Sequence, residues 1–194
     1  MKDFMKNWGF FIIILSVFIL LRLFVVTPVS VKGHSMDPTL ADGQKLLTLK
    51  TDKVERLDII TLQEPDEPEK MAVKRVIALP GETVEMKNDQ LTINGEVFAE
   101  PYLDEYQALF DTGQLAETYA YNPQFQKTAE NAETFTSDFS YTVPEGQYFV
   151  LGDNRLVSKD SRYFGFIDQS YIKGRVIWRY WPLNQMSLFT KDSN

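Results

Sequence analysis

The chain has 194 residues, 44% of them hydrophobic, enough for one medium-sized folded body plus a short appendage and too many for disorder throughout. Cysteine is absent and His34 is the only histidine, which removes disulfides, thiol chemistry, thiolate zinc sites and histidine clusters; neither a metal nor a cofactor is expected. Formal net charge is −7, unevenly spread: residues 1–27 carry Lys2, Lys6 and Arg22 against Asp3, so the rest holds 17 basic and 26 acidic residues. Such a body repels a phosphate backbone, and nucleic acid is excluded as a partner.

Residues 1–7 read as a short basic N-terminus. Trp8 to Val26 is apolar except for Ser16 and Arg22, close to the roughly 20 residues a helix needs to cross a bilayer. Lys2 and Lys6 before this run place the amino terminus in the cytoplasm and the body outside, so a single-pass protein of the cell membrane, in contact with lipid, is expected. A removable secretory signal has the same basic start, but this apolar run is longer than the usual 7–15 residues and Val25 to Lys32 has no small-x-small cleavage site, so an uncleaved anchor is favoured. A buried core helix is a third option.

The nine prolines, ten glycines and short β-branched or aromatic runs favour a β-rich body over 27–98 and 141–187. Val29 to Lys32 alternates as a half-buried strand and leads into Gly33-His34-Ser35-Met36-Asp37-Pro38-Thr39-Leu40. Lys45 to Lys50 and Asp58 to Leu62 are further strands. Glu64 to Glu69 reads as an acidic, proline-broken, solvated connection. Met71 to Leu79 is the clearest strand, with Ala72, Lys74, Val76 and Ala78 on one face and Met71, Val73, Arg75, Ile77 and Leu79 on the other.

Pro80-Gly81 ends that strand. Thr83 to Met86, Leu91 to Ile93 and Val97-Phe98 form hairpins turning at Asn88-Asp89 and Asn94-Gly95. From 99 to 140 the periodicity is weak, and between Asp89 and Asp138 ten acidic residues face one basic residue, Lys127. This stretch is either a small cap or a mobile excursion. The core resumes with Tyr141 to Val143, Gln147 to Leu151 and Ile172 to Trp181, the last stopped by Pro182. The tail, 188–194, is expected to fray.

Ser35 is a nucleophile only if a base removes its proton. His34 is its chain neighbour, and adjacent side chains in extended backbone point to opposite faces, so a Ser-His-Asp triad is disfavoured and His34 reads as a surface loop residue. Carboxylates are too acidic unless strongly buried. A lysine serves only when its pKa falls from about 10.4 toward 7–8, a shift worth about 4 kcal/mol of disfavoured charge that requires near-complete burial. Lys74, mid-strand between alanines and a valine, is the lysine placed for this. Taken singly, however, a loop serine is a turn former and a strand lysine reaches from an edge into water. Gly152 to Gly165 alone reads equally as a hydrogen-bonded turn with Asp160 and Arg162 as its ion pair.

Taken together, Gly-x-Ser-Met-x-Pro-Thr-Leu at 33–40, Lys-Arg-Val-Ile-x-Leu-Pro-Gly at 74–81, and Gly-Asp-Asn with Ser-x-Asp-Ser-Arg-x-x-Gly at 152–165, following one apolar span, resemble the bacterial type I signal peptidases. Arg56-Leu57-Asp58-Ile59-Ile60 resembles a further strand box of that family; the 99–140 stretch is unmatched. The resemblance implies a mainly β fold of two antiparallel sheets behind one transmembrane helix. It further implies a membrane-bound serine endopeptidase that removes signal peptides from secretory preproteins by a Ser-Lys dyad, cutting after small-x-small residues.

By motif position Ser35 is then the nucleophile, Lys74 the general base and Ser158 the hydroxyl that orients the lysine amine. Asp160 and Arg162 form a supporting salt bridge, Asp153 lies nearby, and Met36 lines the substrate pocket. Gly33 stands where some members carry a hydroxyl that donates to the oxyanion, leaving backbone N–H groups, chiefly that of Ser35, for this role. Val157 stands where many carry asparagine. Two rival readings are a self-cleaving repressor, which would need a DNA-binding domain for which there is no room, and a catalytically silent anchored binding protein, which would have no use for Ser35, Lys74 and Ser158 together.

Overall fold

The computed structural model describes residues 2–51 and 53–189, with the side chains of the first helix described from Trp8 onward. That helix, α1 (Lys2–Phe24), exposes its large apolar side chains from Trp8 to Phe24. Among the described residues no helix is long and apolar enough to cross a membrane, so the span expected at 8–26 is unconfirmed. The helix also stops earlier than expected. Val26 and Thr27 are β-branched and already pair in a strand, and Pro28 has no N–H to donate to a helical turn. The expected N-terminus (1–7) and tail (188–194) fall largely outside the described residues and side chains.

The body is two antiparallel sheets. The larger has eight strands: β1 (Val26–Ser30), β2 (Lys45–Leu49), β3 (Ile59–Gln63), β4 (Met71–Ala78), β9 (Gln147–Leu151), β10 (Ile167–Asp168), β11 (Ile172–Trp181) and β12 (Ser187–Leu188). Its spatial order is β1-β2-β11-β3-β4-β9-β10, with β12 added to β11. The smaller has four: β5 (Thr83–Lys87), β6 (Gln90–Ile93), β7 (Glu96–Val97) and β8 (Phe139–Thr142), in the order β7-β6-β5-β8. Ile77, Val84, Met86, Leu91, Val143 and Phe149 form the core where the sheets meet.

Turn chemistry fixes the smaller sheet. Asn88, Asp89, Asn94 and Gly95 all have positive φ, as two-residue hairpin turns require. β1 begins three residues before the expected Val29 because its ladder is set by β2, with Val26 opposite Leu49 and Ser30 opposite Lys45. At the centre of the larger sheet, β11 passes so close to β2 that a Cβ on Gly174 would lie 2.5 Å from the Leu49 carbonyl oxygen.

Residues 101–131 are helical: a 3₁₀ turn (Pro101–Leu103), α2 (Asp104–Asp111), α3 (Leu115–Thr118) and α4 (Pro123–Asn131). They enclose their own cluster of Leu103, Tyr106, Leu115, Tyr119 and Phe135, which rests on Leu156 and Val157. The helices are only eight, four and nine residues long, too short for a periodic signal, and large aromatics rather than a stripe hold them. At the start of α4, Asn122 accepts from the backbone N–H of Gln124 and Phe125 with Pro123 in the first turn.

Candidate active site

The loop after β1 carries Ser35, and β4 carries Lys74. Both line one cleft of about 530 Å³, whose walls are residues 29–36 on one side and Met71 to Lys74 on the other. Both walls present free backbone. Val31 donates to Gln44 and Lys50 donates to Val25, so the odd-numbered residues of β1 face β2 and Ser30 and Lys32 turn their polar groups outward. In β4, Glu64 donates to Lys70 and Val76 to Asp58, which turns Met71 and Val73 away from β3; β9 covers β4 only from Arg75 onward.

Lys74 is 3% exposed, and among the described residues its amine makes no hydrogen bond. Burial pushes its pKa down to about 8, against the pull of Asp160 and Glu64 and with help from Lys70 and Arg162. Arg75, the next residue, faces the other way. Its guanidinium makes two bonds to Asp153, at 2.9 and 2.7 Å, and lies 3.8 Å over the Tyr102 ring. Asp153 is thus committed to Arg75 on the far side of the strand.

The segment after β9 closes over the Ser35 loop. Asn154 donates from its backbone to the Ser35 carbonyl at 3.1 Å and from Nδ2 to the His34 carbonyl at 3.0 Å, while its Oδ1 accepts from the Tyr119 hydroxyl. Gly152 makes this approach possible. A Cβ there would lie 2.4 Å from the Ser35 carbonyl oxygen and 2.2 Å from Ser158 Oγ, so the loop backbone and the Ser158 hydroxyl meet at one point. Ser158 is buried, and among the described residues its hydroxyl has no hydrogen-bond partner, so the bond to the Lys74 amine expected of it is not made here. Asp160 is fully buried, accepts from the Gly152 N–H at 3.0 Å, and holds Arg162 by two bonds of 2.8 Å. Met36 is buried and lines the cleft.

Several features were not foreseen. His34 is a half-buried brace rather than a free surface residue: Nδ1 lies 3.0 Å from Asp37 Oδ2, and the ring packs 4.4 Å from that of Tyr121. Glu64 is likewise no part of a solvated connection. It is buried on the cleft wall, with Lys70 and Lys159 each 3.3 Å from its carboxylate. Lys159 also binds Asp66 at 2.8 Å and Glu67 at 2.6 Å, so an ammonium fills the middle of this carboxylate group. Arg155 is buried between Glu100, Tyr102 and the Gly152 carbonyl. Apart from the short-range pairs His34–Asp37, Glu64–Lys70 and Arg155–Gly152, these partners lie 53 or more residues apart in the chain, and no local pattern announces them.

A cleft with free strand edges, a serine on one wall and a dry lysine on the other can hold an extended peptide and transfer its acyl group to the hydroxyl. The family model described as "Signal peptidase, peptidase S26" matches residues 3–181. Signal peptidase I of Streptococcus pneumoniae (strain R6) is 43% identical over 97% of this chain and 98% of its own length. Signal peptidase IB of Staphylococcus aureus (strain Mu50) is 40% identical over 84% and 81%. A crystal structure of a signal peptidase I from Enterococcus faecalis V583 is 39% identical and covers 63% of this chain and 96% of that one, with a TM-score of 0.49. On the match over nearly its whole length, the chain belongs to the signal peptidase family, peptidase S26.

Proposed function

We propose that this chain is a membrane-anchored serine endopeptidase that removes signal peptides from translocated preproteins, with Ser35 as nucleophile and Lys74 as general base. The observation that carries this reading is the placement of a 3%-exposed lysine, its pKa lowered to about 8, in the cleft that holds Ser35. An extended stretch of preprotein adds to the free edges at Ser30, Lys32, Met71 and Val73. Small side chains at the first and third positions before the cut face apolar surface that includes Val29, Met36 and Ala72.

Neutral Lys74 takes the proton of the Ser35 hydroxyl as Oγ forms its bond to the scissile carbonyl carbon. The Ser35 N–H, which donates to no acceptor among the described residues, stabilises the oxyanion. Collapse breaks the peptide C–N bond, Lys74 returns its proton to the leaving amine, and the mature chain departs. Water then loses a proton to Lys74, attacks the ester and frees the signal peptide and the serine. Ser158, whose buried hydroxyl is unpartnered among the described residues, accepts one N–H of Lys74 only when substrate fills the cleft and then aims the lone pair at Ser35; the Asp160–Arg162 pair fixes the segment that carries Ser158.

The anchor at 8–26 is supported by the apolar run in the sequence and by the all-round exposure of the α1 side chains, which fits lipid and not water. Exposed Trp181, Leu183, Met186 and Leu188 offer the body a second contact with the interface. The amino terminus lies in the cytoplasm and the body outside. Purified protein incubated with preproteins, the new amino termini being mapped by mass spectrometry, should cut after small-x-small sequences; Ser35→Ala and Lys74→Met should each abolish cleavage, and substantial residual turnover in either would remove the dyad.

A further inference from the structure

The cleft does not end at the dyad. Phe125, at the start of α4, and Val157, in the segment that closes over Ser35, line it on the side of the helical insertion. The same two residues also line a second hollow of about 280 Å³, completed by Asn122, Gln124, Thr128 and Leu156. The two spaces therefore meet across one Phe125–Val157 ridge. The second is lined by no charged group, although the surrounding insertion is strongly acidic.

The ridge is held by the elements that hold the nucleophile. Phe125 packs edge-on against Tyr119 and Tyr121, each at 6.2 Å. Tyr121 packs against His34, next to Ser35, and Tyr119 donates to Asn154, whose N–H and Nδ2 bind the carbonyls of Ser35 and His34. A chain passing Ser35 and crossing the ridge would meet a surface already in register with the reacting atoms.

We propose that the hollow beyond Phe125 and Val157 is an accessory subsite for the continuation of the substrate chain, taking uncharged side chains several residues from the scissile bond. It rests on the peptidase reading above and deepens it: the insertion extends the recognised length of substrate. The occupant is the substrate itself because the hollow adjoins the cleft, the two sharing Phe125 and Val157 as a common wall. Carboxylate side chains are disfavoured there by the acidic surroundings.

The test uses the full chain in detergent micelles and a peptide series with one fixed cleavage sequence, lengthened stepwise on either side. For the parent, kcat/KM should rise about tenfold once the peptide reaches the hollow, on one side of the cut only. In Phe125→Ala, and independently in Thr128→Trp, which fills the hollow from an exposed helix position, the long-to-short ratio of kcat/KM should fall toward one. A merely structural fault lowers both peptides alike and leaves the ratio unchanged. An unchanged ratio in both variants, or no gain with length in the parent, overturns the proposal while leaving the dyad standing. Failure of the parent to cut any peptide overturns the peptidase reading and this subsite with it.

Discussion

Lys74 has an ordinary pKa near 10.5 when exposed and one of about 8 when folded. Below pH 8 it is charged in both states, and the folded protein bears the full cost of a buried ammonium. Between 8 and 10.5 the unfolded chain binds a proton that the folded one does not, so stability rises with pH across this window and levels off above it. The shift corresponds to about 3 kcal/mol. Lys74→Met should therefore be more stable than the parent at pH 7, by up to about 3 kcal/mol, with the gain gone near pH 10.5; denaturant titrations at the two pH values measure it. Because the base must be neutral, kcat/KM should climb with pH through a midpoint near 8, and a profile flat from pH 6 to 9 would exclude Lys74 as the base. Alternation along β4 was enough to place Lys74 among apolar neighbours. It could not supply Asp160 and Glu64, which lie at other points of the chain and tune the amine only after folding.

The hairpins of the smaller sheet were readable from Asn-Asp and Asn-Gly because those turns depend on local φ alone. The segment from Gly152 to Gly165 was not, since its form depends on what it touches. Gly152→Ala and Gly174→Ala separate the two kinds of constraint. Both add a methyl group within about 2.5 Å of a backbone oxygen, and each should cost about 1–3 kcal/mol of stability. Only Gly152→Ala pushes on the Ser35 carbonyl and Ser158 Oγ. It should lower cleavage well beyond what its stability predicts, while Gly174→Ala, whose added methyl group meets the Leu49 backbone and not the Ser35 loop, should cut normally at a temperature where it is folded. Equal losses of activity would mean that Gly152 matters only for packing.

At the scale of the whole molecule, an apolar helix is joined directly to a sheet whose body carries the cleft. Removing residues 2–24 should leave a body that stays in solution without detergent and still cuts short peptides, because every cleft residue lies beyond Phe24. On the proposed anchoring, processing of a membrane-inserted preprotein should fall much further, since removal of the helix would end the sharing of one surface that raises effective concentration. Sedimentation with vesicles and parallel assays on peptide and inserted preprotein measure the two effects.

The sequence by itself determined the β-rich body, the hairpins, the absence of thiol chemistry and the ordered motifs that carry Ser35 and Lys74, because composition, turn residues and alternation act over a few neighbouring positions. Tertiary structure alone decided that the 101–131 stretch is a helical insertion, that His34 braces a tyrosine, that Glu64 is buried between two lysines and that Gly152 admits no side chain. Each of these depends on groups far apart in the chain, and their energies exist only once the sheets have brought them together.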